Sequence, residues 1–248
     1  GEKKTVSGSH QYKTVGKFTS VATVDPNNQI EETNETDNTA SAVINVTEPP
    51  PPPKPFVQFF TDDLDKGLQF KREKPSNDVV KEPETRYFFP GGHDMADTIS
   101  GIRISGDIVV IAYEHGSYKG RALWVDKNMS KSDLKRVGFE NNISSFKIFN
   151  KNQIGGITIY EHANYKGKST FLMMGRNYSP TNLMKLGLVQ YMPVGYPNYR
   201  SKISSLKFHG KANRVKSQNY VNKKKDITKN YANLGDIDLN DKIIGFEF

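Results

Sequence analysis

The chain has 248 residues, a formal net charge of +8 and no cysteine. The missing thiols exclude disulfides, cysteine–zinc sites, iron–sulfur clusters and cysteine nucleophiles, so core packing or bound ions must hold the fold. The length suits about two domains. The longest apolar run, Ile108–Tyr113 (IVVIAY), is of strand length and far short of the ~20 residues that span a bilayer, so no transmembrane segment is expected.

Charge is unevenly placed. Residues 1–55 carry five Lys against seven Asp or Glu, a net of −2; the remainder carries 30 basic and 20 acidic residues, a net of +10. The lysines are dispersed, which reads as a soluble surface rather than a specific nucleic-acid interface. Gly1 opens no signal peptide and reads as a processed end, so localisation has to be argued from module type.

In chain order, Lys17–Val24 (KFTSVATV) alternates and is rich in β-branched residues, as a strand should be. Asp25–Asn38 is turn-rich, and Thr39–Val46 (TASAVINV) alternates again. The run VATVDPNNQIEETNETDNTASAVINV resembles the C-terminal half of CARDB, a cell-adhesion-related domain. The resemblance implies an immunoglobulin-like β segment over residues 1–48. A whole domain of that type has about 100 residues and about seven strands, so this segment is too short to complete such a core. Residues Pro49–Pro55 (PPPPPKP) form a stiff polyproline II linker.

Downstream a short box recurs four times: Asp97–Ile104 (DTISGIRI), Asn141–Ile148 (NNISSFKI), Ser201–Phe208 (SKISSLKF) and Asp241–Phe248 (DKIIGFEF). Its alternation puts Ile102, Ile104, Phe146, Ile148, Leu206, Phe208, Phe246 and Phe248 on buried strand faces. A second box precedes two copies, Tyr113–Gly120 (YEHGSYKG) and Tyr160–Gly167 (YEHANYKG). Phe60–Gly67 (FTDDLDKG) is a degraded form, with Asp65 in place of the second aromatic, and the fourth repeat shows no clear copy. The glycines suit the positive φ of a tight hairpin, and the tyrosines can stack over it.

Together the boxes resemble the Greek-key signature of the βγ-crystallin family. The resemblance implies an all-β fold of two Greek-key β-sandwich domains, 56–150 and 154–248, with a surface excursion over roughly Met174–Arg200. It also implies calcium, held by a polar side chain, backbone carbonyls and a serine hydroxyl. Carried over residue by residue, one site would join Asp97 and Ser100 to the backbone of Glu114, and another Asn141 and Ser144 to the backbone of Thr61. Affinity is expected in the ~10⁻⁴–10⁻³ M range of extracellular modules. The second domain is expected to bind little or none, because Arg200-Ser201 replaces the polar pair and Ile244 lacks a hydroxyl. The serines could equally cap turns.

No nucleophile elbow, P-loop or HExxH motif occurs, and the five histidines do not cluster in sequence. Glu114 and Glu161 recur as repeat features, and Asp62, Asp63 and Asp65 read as a solvated turn. Lys211–Tyr231, with Tyr220 and Tyr231 among lysines, reads as a loose loop, with an anionic-polymer site as its alternative. The module types imply a secreted or cell-surface, non-enzymatic structural or binding protein. A polysaccharide or cell-wall ligand on Tyr178, Tyr191, Tyr196 and Tyr199, or an enzyme-inhibitor role, are the alternatives.

Overall fold

The computed structural model describes residue 5 and residues 7–34, 36–51, 53–74, 78–83, 94–191, 199–219 and 223–248, the side chain of Tyr199 excepted. The chain divides into Gly1–Pro52 and Pro53–Phe248.

The first unit is a two-stranded antiparallel ribbon, β1 (Gly16–Thr23) and β2 (Thr39–Val46), in the register Gly16↔Val46 to Thr23↔Thr39. Asp25 closes the connection by accepting the N–H groups of Gln29 and Ile30. Val21 and Val43 remain 62% and 65% exposed, so the ribbon encloses no core of its own. An isolated pair of strands is marginal in water.

The second unit is built from four repeats whose strands interleave. The first comprises β3 (Phe56–Phe60), β4 (Gln69–Glu73), β5 (Val80–Glu82) and β6 (Gly101–Ser105). The second comprises β7 (Ile108–His115), β8 (Lys119–Val125), helix α1 (Lys131–Val137) and β9 (Ser145–Asn150). The third comprises β10 (Gly155–His162), β11 (Lys166–Met173), helix α2 (Pro180–Lys185), the short pair β12 (Val189–Tyr191) and β13 (Tyr199–Ser201), and β14 (Ser205–Gly210). The fourth comprises β15 (Val215–Asn219), β16 (Lys224–Ile227) and β17 (Ile243–Glu247).

Each repeat lends its third extended segment to its partner's sheet. β5 of the first repeat pairs with β9 of the second, and Met129 of the second bridges Ile102 in β6 of the first. The later repeats do the same through Tyr178↔Phe246 and Leu206↔Tyr231. The exchange makes each pair of repeats one sandwich with one core. Phe59, Ile102, Phe146 and Ile148 centre the first core, and Ile157, Leu206, Ile243 and Phe246 the second. Of the expected inward-facing residues, Ile104, Phe208 and Phe248 are only partly buried and pack at the core margins.

Two regional expectations change, while the fold is mostly strand, as expected, with two short helices: α1 and α2 occupy equivalent places in the second and third repeats. Each starts on a capping box, Ser130 with Asp133 and Ser179 with Asn182, the second with Pro180 in its first turn. The region 174–200 is not one excursion, because its first half holds the bridging Tyr178 and α2; only the β12–β13 hairpin departs from the repeat. Lys211–Tyr231 is not a loose loop: it supplies the β15–β16 hairpin and the bridging Tyr231, while Tyr220 lies outside the described residues.

The two sandwiches meet over Val109, Ile111, Ala122, Trp124, Ile154 and Phe171. This contact explains the unbroken apolar run of β7. Ile108, Val110 and Ala112 face the core, while Val109 and Ile111 face the other sandwich, so both faces are buried. Gly156 on β10 is required there: a Cβ would stand 2.1 Å from the Leu172 carbonyl oxygen and 2.7 Å from the Phe171 ring.

His209 closes one side of this interface. It stacks on Trp124 at 5.1 Å, and its Nε2 lies 2.9 Å from Thr158 Oγ1. Burial first, then the field of Lys207, pushes its pKa down to about 4 against a smaller opposing pull from Asp126. The unfolded chain therefore takes up this proton near pH 6.5, whereas the folded chain resists until about pH 4. Stability is complete above pH 6.5 and falls as pH drops between the two values, by roughly 2–3 kcal/mol. Denaturant midpoints measured from pH 7 to pH 4 should show this slope, and H209F should flatten it. An equal slope in H209F would assign the effect to other groups.

Candidate metal centres

The hairpin boxes fold alike. Tyr113 and Tyr118 meet edge-on at 5.5 Å and 62°, and Tyr160 and Tyr165 at 5.5 Å and 63°. Ser117 and Tyr118, like Asn164 and Tyr165, take positive φ, an unfavourable conformation for such residues. The second serine of each downstream box holds this bend. Ser145 Oγ donates to the His115 carbonyl at 2.6 Å and accepts from Tyr118 N–H at 3.1 Å. Ser205 Oγ does the same with His162 and Tyr165, again at 2.6 and 3.1 Å.

The first serine of each box stands in a different environment. Ser144 is buried, and its Oγ lies 2.8 Å from the Glu114 carbonyl oxygen and 2.9 Å from Asp97 Oδ1. One hydroxyl has one proton, so it can satisfy only one of these two acceptors at a time. Two acceptor oxygens thus stand just under 3 Å from the serine oxygen, the spacing of neighbouring ligands around a cation that takes oxygens at about 2.3–2.6 Å. Asp97, Asn141 and Asp241 all adopt positive φ, and their N–H groups bond the carbonyls of Ile143, Ile99 and Ile203 in the partner repeats. That crossing carries each polar side chain to the serine of the other repeat.

The expected residues are therefore grouped differently. Asp97 meets Ser144 and the Glu114 carbonyl, not Ser100. Asn141 meets Ser100, whose Oγ donates to Asn141 Oδ1 at 2.8 Å, not Ser144. Thr61 belongs with Ser100: Ser100 N–H bonds the preceding Phe60 carbonyl, as Ser144 N–H bonds that of Tyr113 before Glu114. The Thr61 hydroxyl accepts from Leu68 N–H, which leaves its carbonyl as the group available to an ion.

Crossing also yields a set that a repeat-by-repeat reading missed. Ser204 Oγ lies 2.9 Å from the Glu161 carbonyl oxygen and 3.2 Å from Asp241 Oδ1. Ile244 is irrelevant to it, because the serine comes from the other repeat. Arg200 and Lys202 line the same pocket, and Lys202 pairs with Glu161 at 3.8 Å, so local charge opposes a cation more than at Asp97. In the fourth combination Ile244 takes the place of the first serine, and Ser201 Oγ accepts from Ile203 N–H. Among the described residues no three His, Cys, Asp or Glu side chains converge, so any ion site draws on backbone and hydroxyl oxygens.

The Glu114 carboxylate stands behind its own carbonyl. It accepts from Arg121 Nε at 2.8 Å, from Arg121 N–H at 2.7 Å and from Asn142 Nδ2 at 3.0 Å. Burial alone would raise its pKa; the Arg121 hydrogen bonds and charge outweigh burial and hold it below the ordinary carboxylate value. The Asp62–Asp65 turn is also tied down: Asp62 and Asp63 bond Lys131 at the start of α1, and Asp65 pairs with Arg103.

Strand exchange, two-serine boxes and folded tyrosine hairpins define a βγ-crystallin-type fold of two double Greek-key sandwiches. A CARDB family model matches residues 1–42. No curated protein matches the chain. The calcium complex of protein S, solved by NMR, is 16% identical over 78% of this chain and 98% of its own, with a TM-score of 0.33. Geodin, a βγ-crystallin from Geodia cydonium, is 17% identical over 79% and 99%, at 0.29, and a βγ-crystallin domain from Flavobacterium johnsoniae is 14% identical over 38% and 93%, at 0.30.

Proposed function

We propose that this is a non-enzymatic, extracellular or cell-surface binding and structural protein whose sandwiches are stiffened by calcium. The carrying observation is the serine hydroxyl that faces two acceptors with one proton, at Ser144 and again at Ser204. An ion would draw on Asp97, Ser144 and the Glu114 carbonyl in one set, on Asn141, Ser100 and the Thr61 carbonyl in a second, and on Asp241, Ser204 and the Glu161 carbonyl in a third. The donors are all oxygen, as a hard cation requires. Asp97 brings a carboxylate that no ion pair engages among the described residues and is the strongest of the three. Asn141 is neutral, and Asp241 is opposed by Arg200 and Lys202. The CARDB match at residues 1–42 and the absence of a helix able to cross a membrane among the described residues support the exterior assignment.

Calorimetry and melting of the full chain in calcium test this reading. For a dissociation constant near 10⁻³ M, about 10 mM calcium stabilises the occupied sandwich by about 1.4 kcal/mol, a rise of roughly 6–10 °C for a unit of its size. D97N should abolish the strongest heat and D241N only a weaker one. Absence of heat and of any melting shift at millimolar calcium would overturn the reading.

A further inference from the structure

A cleft of about 510 Å³ lies between the two sandwiches; it shares the Tyr113–Gly120 hairpin with the Asp97–Ser144 set but none of that set's oxygen-bearing residues. The hairpin of the second repeat forms one wall with Tyr113, Tyr118 and Lys119, and β11 with the start of the third repeat's crossing segment forms the other with Phe171, Arg176 and Tyr178. No carboxylate lines it among the described residues. Lys185 and Asn182 from α2 complete the rim. Lys147 of β9, which does not itself line the cleft, holds its Nζ 4.0 Å from the centre of the Tyr118 ring.

Lys147 and Arg176 lie within reach of each other's charge. Burial, then the fields of Arg176 and Lys81, lowers the pKa of Lys147, and the field of Arg176 also reaches the Tyr113 and Tyr178 phenols. Arg176, Lys119, Lys147 and Lys185 have no carboxylate partner among the described residues. The Glu82 carboxylate, whose field reaches Tyr118, is held by Arg72 at 2.6 Å. Several cations on one cleft, with no carboxylate lining it among the described residues, make a site that favours an anion.

The walls narrow the class of anion. Asn182 uses Oδ1 for the helix cap, bonding Ser179 N–H and Oγ, which leaves its NH₂ as a donor at the rim. The Tyr178 hydroxyl is committed to Met173 N–H, so that residue offers a ring rather than a polar group. Rings, amide donors and a converging positive field suit a hydroxylated ring that bears a carboxylate. The volume is that of a small ligand held on two sides, within the usual ~300–1,000 Å³ of such sites, rather than a track along a polyphosphate backbone.

We propose that this inter-sandwich cleft binds acidic oligosaccharide, with Arg176 and Lys185 on a uronate carboxylate and the tyrosine rings against the sugar. The cleft is tested in EDTA, which empties the ion sets and removes calcium bridging, so binding seen there is not binding through calcium. The full chain is titrated with trimers of galacturonate, glucuronate, mannuronate and guluronate, with neutral galactose trimer and with a single-stranded oligonucleotide. At least one uronate trimer should bind and the neutral trimer should not, with affinity falling severalfold as salt screens the cleft. R176Q with K185Q should weaken binding about tenfold or more, with its melting unchanged because both side chains are exposed. No uronate binding at about 10 mM ligand, equal binding of the neutral trimer, or full affinity in the double variant would each overturn the proposal. Tighter oligonucleotide binding lost in the same variant would do so in favour of nucleic acid.

Discussion

Replacing Arg121 by alanine lowers the stability of the chain by about 2–3 kcal/mol, because it strips the half-buried Glu114 carboxylate of its guanidinium and leaves it only the N–H of residue 121 and Asn142 Nδ2. Arg121 is 8% exposed and ties three parts together. Besides its bonds to Glu114, it donates to the Gly138 carbonyl at the end of α1 at 2.8 Å. It donates to the Ser169 carbonyl of the other sandwich at 3.3 Å, and its guanidinium lies 4.8 Å from the centre of the Phe139 ring. The pair is costly to break but not inherently stabilising, since desolvating two charges offsets most of their attraction. The double variant R121M/E114Q should therefore recover most of the loss. Denaturant unfolding of the three variants measures both effects; a loss under about 1 kcal/mol in R121A would show that Glu114 is solvated or protonated instead. Since the Glu114 carbonyl belongs to the Asp97–Ser144 oxygen set, R121A should also weaken calcium at that set.

How much of this was legible follows from what kind of signal each feature leaves. The hairpin and serine boxes are local, and both repeat nearly verbatim, so the four-repeat β architecture could be read directly. The alternation in KISSLKF and NNISSFKI placed Leu206 and Phe146 in the cores, where both are fully buried. The helices were missed although their caps are local too: Ser130–Asp133 and Ser179–Asn182 are capping boxes ahead of apolar Leu134 and Leu183. They were overridden by the all-β expectation.

The oxygen sets were harder. Their residues could be named, but their grouping depends on Asp97 N–H reaching Ile143 and Asn141 N–H reaching Ile99, contacts that cross between repeats. Nothing in the spacing of Asp97 to Ser100 reveals that the serine serves the other repeat. The same crossing hid the Asp241–Ser204 set. Arg121 left even less trace, because a single arginine after a hairpin gains its role only when Glu114, Gly138 and Ser169 converge on it. IVVIAY did carry a usable signal: a strand apolar on both faces implies a second buried surface, here the contact between sandwiches.

Phe146→Ala tests the claim that strand exchange makes one core from two repeats. Phe146 lies in β9 of the second repeat's sheet and is fully buried, and its ring centre is 4.7 Å from that of Phe59 in β3 of the first repeat's sheet. Truncation removes the aromatic contact between the sheets and leaves a cavity that rigid strands cannot close, a loss of about 3–5 kcal/mol. V43A in the exposed ribbon should change stability by less than about 0.5 kcal/mol. Trp124 is the only tryptophan and belongs to the first sandwich at its outer face, so its fluorescence reports that sandwich's unfolding. In F146A the tryptophan transition should move to lower denaturant, and both repeats of the first sandwich should lose amide protection together. If β3 and β6 kept full protection while β7 and β9 exchanged freely, the two repeats would be separate folding units and the shared core would be refuted.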